Sequence, residues 1–207
     1  SLSVFMLFVG GIIGSVLAPS KSLSTLPVAT IVVGTAVSII PAIRLMSIFG
    51  RKKVFLGTCL YTILLIGLCI FSIINESFFL FSFASFCLGG NVAVMQQFRF
   101  AAIESVELEQ RPLATAIVLL GGLISAYLGT EIATLGRDYF ETDFAGSFLI
   151  LALLFVIAFI LMCFFKPAEK FKEQINKSTR PLRNIIKQGS FIVAVFAATT
   201  GYVVMSF

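Results

Sequence analysis

The sequence predicts an all-α integral membrane protein, a bundle of five complete transmembrane helices with a partial one at each end. Three observations carry this. Hydrophobic residues fill 58% of the 207 positions and charged residues only 12%, with a mean hydropathy of +1.06, far outside the range of soluble domains. Apolar runs recur near the length that a hydrocarbon core of about 30 Å demands, roughly 20 residues at 1.5 Å rise each. The short stretches between those runs hold nearly all the charge. Such runs are expected to be helical, because a backbone in lipid must satisfy its own polar groups.

The first run, Leu2 to Ala18, is slightly short and ends in a turn at 19–24. It lacks a basic leader and many spans follow it, so a signal peptide is a poor reading. The second span starts near Thr25, where Pro27 suits a first helical turn, and reaches about Ile48; Pro41 predicts a kink. The third runs from Val54 to Ile74, and Asn75, Glu76 and Ser77 turn the chain. The fourth covers Phe78 to about Phe98, and a polar loop, Ala101 to Pro112, follows. The fifth is Leu113 to Leu135 and the sixth Ser147 to Phe165. A hydrophilic connector then precedes a seventh span that begins at Phe191. The division is thus a six-helix bundle over 1–165, a basic connector over 166–190, and the start of a second bundle over 191–207. The chain opens on Ser1 and is apolar up to Phe207, so a piece of a longer chain is expected.

Alternate loops fall on opposite faces, which lets the cations test the weave. One face receives Arg44, Arg51, Lys52, Lys53, Arg99, Arg111 and the seven cations of 166–190, which is 13 of 15; the other receives Lys21 and Arg137. The rule that cytoplasmic loops hold the positive charge then puts the N-terminus inside. The connector, with Glu169 and Glu173 against its cations, carries a net +5. Phe171 with Ile175 and Leu182 with Ile186 suggest short helices lying on the cytoplasmic surface; a basic tether attracted to anionic membrane lipid is the alternative. A nucleic-acid partner is not expected, since no reading fold accompanies the basic segment.

The chain has no histidine, and Cys59, Cys69, Cys87 and Cys163 lie singly inside apolar runs as small fillers. No metal site, no cofactor and no catalytic constellation is therefore expected. Six helices without such a constellation would build a carrier of a small-molecule substrate, a channel or a non-transporting scaffold.

Residues 46–57, MSIFGRKKVFLG, place three cations between two apolar runs. Gly50, Arg51 and Lys52 match the end of a signature that runs glycine, three residues, aspartate, a basic residue, any residue, glycine and two basic residues. Ile43, Ser47 and Ile48 depart from its beginning. With the plan of six helices, a long basic connector and further helices, the sequence resembles the major facilitator superfamily. LAPSKSLSTLP, FRFAA at 98–102 and RPLATAIVLLGGLISAYLG at 111–129 resemble a bacterial branch of it. The resemblance implies a six-helix half built from 3+3 inverted repeats, a missing C-terminal half as partner, and transport by rocking of the halves around a midplane site. It says almost nothing of the substrate, since this fold carries many kinds of solute.

Several residues are candidates for mechanism. In the loop Gly50, Arg51, Lys52 and Lys53, either Arg51 or Lys53 is expected to pair with Glu104 in one conformation and release it in another. Glu107 and Glu109 are further acids nearby, and a plain topology signal is the alternative. On the fourth span Ser82, Ser85, Gly89, Gln96 and Arg99 share a sector of roughly 100°. That polar stripe faces a helix or a watery cavity; Gln96, Asn91, Gln97 and Ser85 are the substrate or cavity candidates. Arg99 and Arg44 lie near the boundary, where a cation snorkels or finds a carboxylate. On the fifth span Gly121, Ser125 and Gly129, flanked by Gly122, Ala126 and Thr130, form small-residue ridges for close helix packing. The resemblance would place them against the missing half; static packing within this half is the alternative. Glu131, beyond the ridge, is a candidate coupling carboxylate or an interfacial partner of Arg137.

Overall fold

The computed structural model describes residues 2–104, 106–136, 144–164 and 188–206. Its helices are α1 (Leu2–Leu17), α2 (Leu26–Phe49), α3 (Arg51–Ile74), α4 (Phe78–Met95), α5 (Phe98–Glu104), α6 (Arg111–Leu135), α7 (Ala145–Phe164) and α8 (Gly189–Ser206), with 3-10 turns at Lys21–Leu23 and Leu108–Gln110. No strand occurs among the described residues. Five stretches are long and apolar enough to cross a membrane, from Lys21–Phe49 to Ala145–Phe164, while Leu2–Leu17 and Gly189–Gly201 are shorter apolar helices. This is the expected pattern of five complete and two partial spans. Helices α1 to α7 belong to one compact unit and α8 to another. In α8 the hydroxyls of Thr199 and Thr200 donate to the carbonyls of Val195 and Phe196 one turn earlier.

Within the first unit the main core joins α1, α3, α4 and α7. Phe148 joins its aromatic rings: its ring meets Phe5 edge-on at 5.0 Å and Phe81 at 6.3 Å, and Ile66, Leu88 and Leu151 are buried in the same cluster. Helices α2 and α4 make the most extensive contact. Their backbones approach closely at Gly34 and Gly89, where a methyl group on either would overlap the other helix's backbone. The Thr30 hydroxyl, which donates to Pro27 O at 2.9 Å, lies 3.1 Å from Ser82 O across the same seam. Small residues thus let dispersion and polar contacts act at short range where lipid offers no hydrophobic drive.

Several sequence expectations are corrected. The connector between the second and third spans is a single residue: Gly50 ends α2 and begins α3 with φ +82, a conformation that glycine adopts without a Cβ penalty. The third span therefore starts at Arg51, three residues earlier than expected. The fourth span stops at Met95, and the expected polar loop contains α5 and a 3-10 turn. Gln97 donates its N–H to Val94 O, tightening the last turn, and the chain then re-enters a helix that sets Phe98 flat on Phe55, ring centroids 4.0 Å apart. Arg99 consequently belongs to α5 and does not extend the α4 stripe. Helix α2 continues through Pro41. Of the cysteines, Cys59 and Cys69 are buried as expected, but Cys163 is exposed. The short-helix pairs of the connector and the Arg137 partner lie outside the described residues.

Candidate functional site

The cation cluster opens α3, and the geometry gives its members separate partners. Arg51 meets Glu104 at the end of α5 through both carboxylate oxygens, NH1 to Oε2 at 2.7 Å and NH2 to Oε1 at 3.0 Å. The contact is one charge-assisted hydrogen bond from NH2, with NH1 in ion-pair range of the second oxygen. The side chains are 16% and 35% exposed, so the pair is partly shielded from water. One turn further along α3, buried Phe55 holds Phe98, and Met46, Ala42 and Val94 fill in behind as a second apolar cluster. The stack and the ion pair together clamp α5 onto the start of α3. Lys52 donates to the carbonyl of Cys163 at 2.8 Å. A cation there complements the negative end of α7. Lys53 is exposed, as are Glu107 and Glu109.

The α4 stripe is divided. Ser82 and Ser85 are buried and donate to Phe78 O and Phe81 O of their own helix, and Ser82 and Gly89 face α2. Gln96 is exposed at the end of α4, and Gln97 is half-buried in the turn that follows. Asn91 is fully buried and donates through Nδ2 to Thr62 Oγ1 of α3 at 2.6 Å; Thr62 in turn donates to Thr58 O. Asn91 Oδ1 has no hydrogen-bond partner among the described residues. Thr62→Val is expected to cost about 1 kcal/mol, read by unfolding in mixed detergent, with Thr62→Val/Asn91→Leu recovering much of it. Independent costs that simply add would remove the coupling.

A family comparison decides the assignment: the model of the Major Facilitator Superfamily matches residues 1–207. The chain belongs to the major facilitator superfamily. A curated relative is the riboflavin transporter RfnT of Brucella anthropi, 32% identical over 96% of this chain and 50% of its own length. The chain thus spans about half the length of that curated relative. No solved structure matches.

In this superfamily member, Ser47 stands where the signature has aspartate, and its hydroxyl turns back to Arg44 O at 2.7 Å. Arg44 and Arg99 are both exposed, and Arg99 lies over the Phe100 ring at 5.3 Å. On α6, Gly121 and Gly122 are exposed with open space at each Cβ position, whereas Gly129 is buried and Ser125 half-buried. Glu131 is half-buried, and its carbonyl accepts from Thr134 at 2.9 Å. Sequence reasoning missed the Lys52–Cys163 contact and the Phe55–Phe98 stack. Aromatic residues at both positions were visible, but 23 phenylalanines in the chain leave any one pairing unmarked.

Proposed function

We propose that this chain is the first half of a secondary transporter that moves a small solute across a bacterial inner membrane by alternating access, with its N-terminus cytoplasmic. The observation that carries the reading is the family match over residues 1–207, joined to a relative named as a transporter. Family and relative both point away from an enzyme. In this reading the second half of the same transporter covers the exposed Gly121 and Gly122 ridge of α6, whose surface is almost wholly unburied. The Arg51–Glu104 clamp holds one of the alternating states, and Glu131 is the coupling candidate. Gln96, exposed at the end of α4, is the first choice for a cavity contact; Asn91 and Ser85, tied to neighbouring carbonyl or hydroxyl groups, act as its scaffold.

Riboflavin, named for the relative, is the first substrate to test. The whole protein in proteoliposomes is expected to take up riboflavin with saturable kinetics that follow an imposed ion gradient, measured by the fluorescence of the trapped vitamin. Saturable flux of another solute would retain the carrier and discard the flavin. Conductance that does not saturate would support the channel reading.

A further inference from the structure

The three cations that open α3 divide their work. Glu104 takes Arg51 and the Cys163 carbonyl takes Lys52, while Lys53 is exposed and makes no ion pair among the described residues. Lys53 lines a groove of about 510 Å³ cut between the second half of α2 and the first half of α3, with Gly90 and Val94 of α4 also lining it. Pro41, Leu45 and Phe49 form one wall and Val54 and Gly57 the other. The hydroxyls of Thr58 and Tyr61 are turned to carbonyls, Val54 O and Cys87 O, which leaves the Ser38 hydroxyl and the Lys53 ammonium as the polar groups of the groove. Leu45 and Phe49 are 45% and 56% exposed, and the Cβ position of Gly57 meets nothing within 4 Å. From Lys53 to Tyr61 the groove extends about 12 Å along α3.

The groove is therefore mainly apolar and positive at one end, and no acidic side chain lines it among the described residues. Arg44 and Lys52 on neighbouring turns add to the positive field. An amphiphile with an aliphatic chain and an anionic head complements both features, and the bilayer around these spans supplies one. We propose that the α2–α3 groove binds an acidic phospholipid, one acyl chain lying over Gly57 and the headgroup phosphate paired with Lys53. A basic side chain at the membrane surface selects anionic over zwitterionic lipid. The site is distinct from the α4 candidates and does not depend on the transport reading.

The test is native mass spectrometry of the whole protein, released from detergent containing equal phosphatidylglycerol and phosphatidylcholine. Wild type is expected to retain phosphatidylglycerol about fivefold over phosphatidylcholine. Lys53→Gln should bring that ratio near one while total bound lipid stays the same, and Lys53→Arg should restore it. Gly57→Leu, whose side chain enters open space and so leaves the helix intact, should lower retention of both lipids. Equal retention by wild type overturns the proposal, as does wild-type phosphatidylglycerol retention by Gly57→Leu. A dimer peak that Gly57→Leu abolishes would place a second copy in the groove and overturn it too.

Discussion

Gly34→Ala and Gly89→Ala are each expected to destabilise the bundle by about 3 kcal/mol, because each methyl group would meet the backbone of the facing helix. The Cβ of residue 34 would overlap the carbonyl oxygen of Phe86, and that of residue 89 would overlap the backbone of α2 around Gly34 and Thr35. Backbone atoms have no rotamer to escape into, so α2 and α4 must separate. Separation would also strain the nearby approach of Thr30 to Ser82 O. Gly67→Ala is the control. Its Cβ meets nothing within 4 Å, and alanine favours a helix over glycine by roughly 0.5–1 kcal/mol. Reversible unfolding in mixed detergent should therefore place the two seam variants well below wild type and Gly67→Ala at or above it. Equal behaviour of all three would mean that the helices are not in close contact.

Reversing the charge at Arg51 is expected to release α5 from α3. Arg51→Glu sets a carboxylate against Glu104 in a site that is only partly hydrated, and pairs of intermediate exposure fall between the surface and buried limits, roughly 1–2 kcal/mol. That corresponds to about five- to thirty-fold in the population of the clamped state. The exchange variant Arg51→Glu/Glu104→Arg should recover most of the loss, since both residues keep their places and only the sign is inverted. Cysteine-labelling rates at Ala101, which packs beside Phe98 in the second cluster, report release of α5, and transport kinetics report whether release limits turnover. Faster labelling with unchanged kinetics would leave the pair a structural tie and remove it from the transport cycle. No rescue by the exchange would dissolve the pair itself. Glu107 and Glu109, both exposed, are not expected to substitute for Glu104.

Much of the fold was legible before any coordinates, and particular residues show why. Leu2 to Ala18 and the five longer runs read as helices because each carries its own solution to the problem of a backbone in lipid. Asn75, Glu76 and Ser77 read as a turn because polar residues interrupt two such runs, and the structure closes α3 at Ile74 and opens α4 at Phe78. Boundaries at Arg51 and Met95 were misplaced for a common reason. Charge at Lys52 and Lys53 argued for a loop, yet a carbonyl acceptor on α7 and an exposed groove let those side chains sit on a helix. At the end of α4, nothing local in Gln96 and Gln97 demands a turn; Phe55, more than 40 residues away in sequence, holds Phe98 where only a turn can deliver it.

The candidate site was legible in part. The expectation that Arg51 or Lys53 would meet Glu104 rested on two loops sharing one end of the bundle, and the structure selects Arg51. Ser82, Ser85, Gly89 and Gln96 looked like one surface on a helical wheel, but a wheel does not say what lies opposite each position. The seam with α2 takes Ser82 and Gly89, while Gln96 falls beyond it at the exposed helix end.

The sequence by itself determined how many segments are apolar enough to enter lipid and where their ends carry charge, because transfer into hydrocarbon depends on each segment's own composition and length. Only the tertiary structure decided that Arg51 meets Glu104 across 53 positions, that Gly34 and Gly89 let two backbones touch, and that Lys53 overlooks an apolar groove. Such outcomes are set by distances of a few ångströms between side chains remote along the chain. No local pattern encodes those distances until the helices have packed.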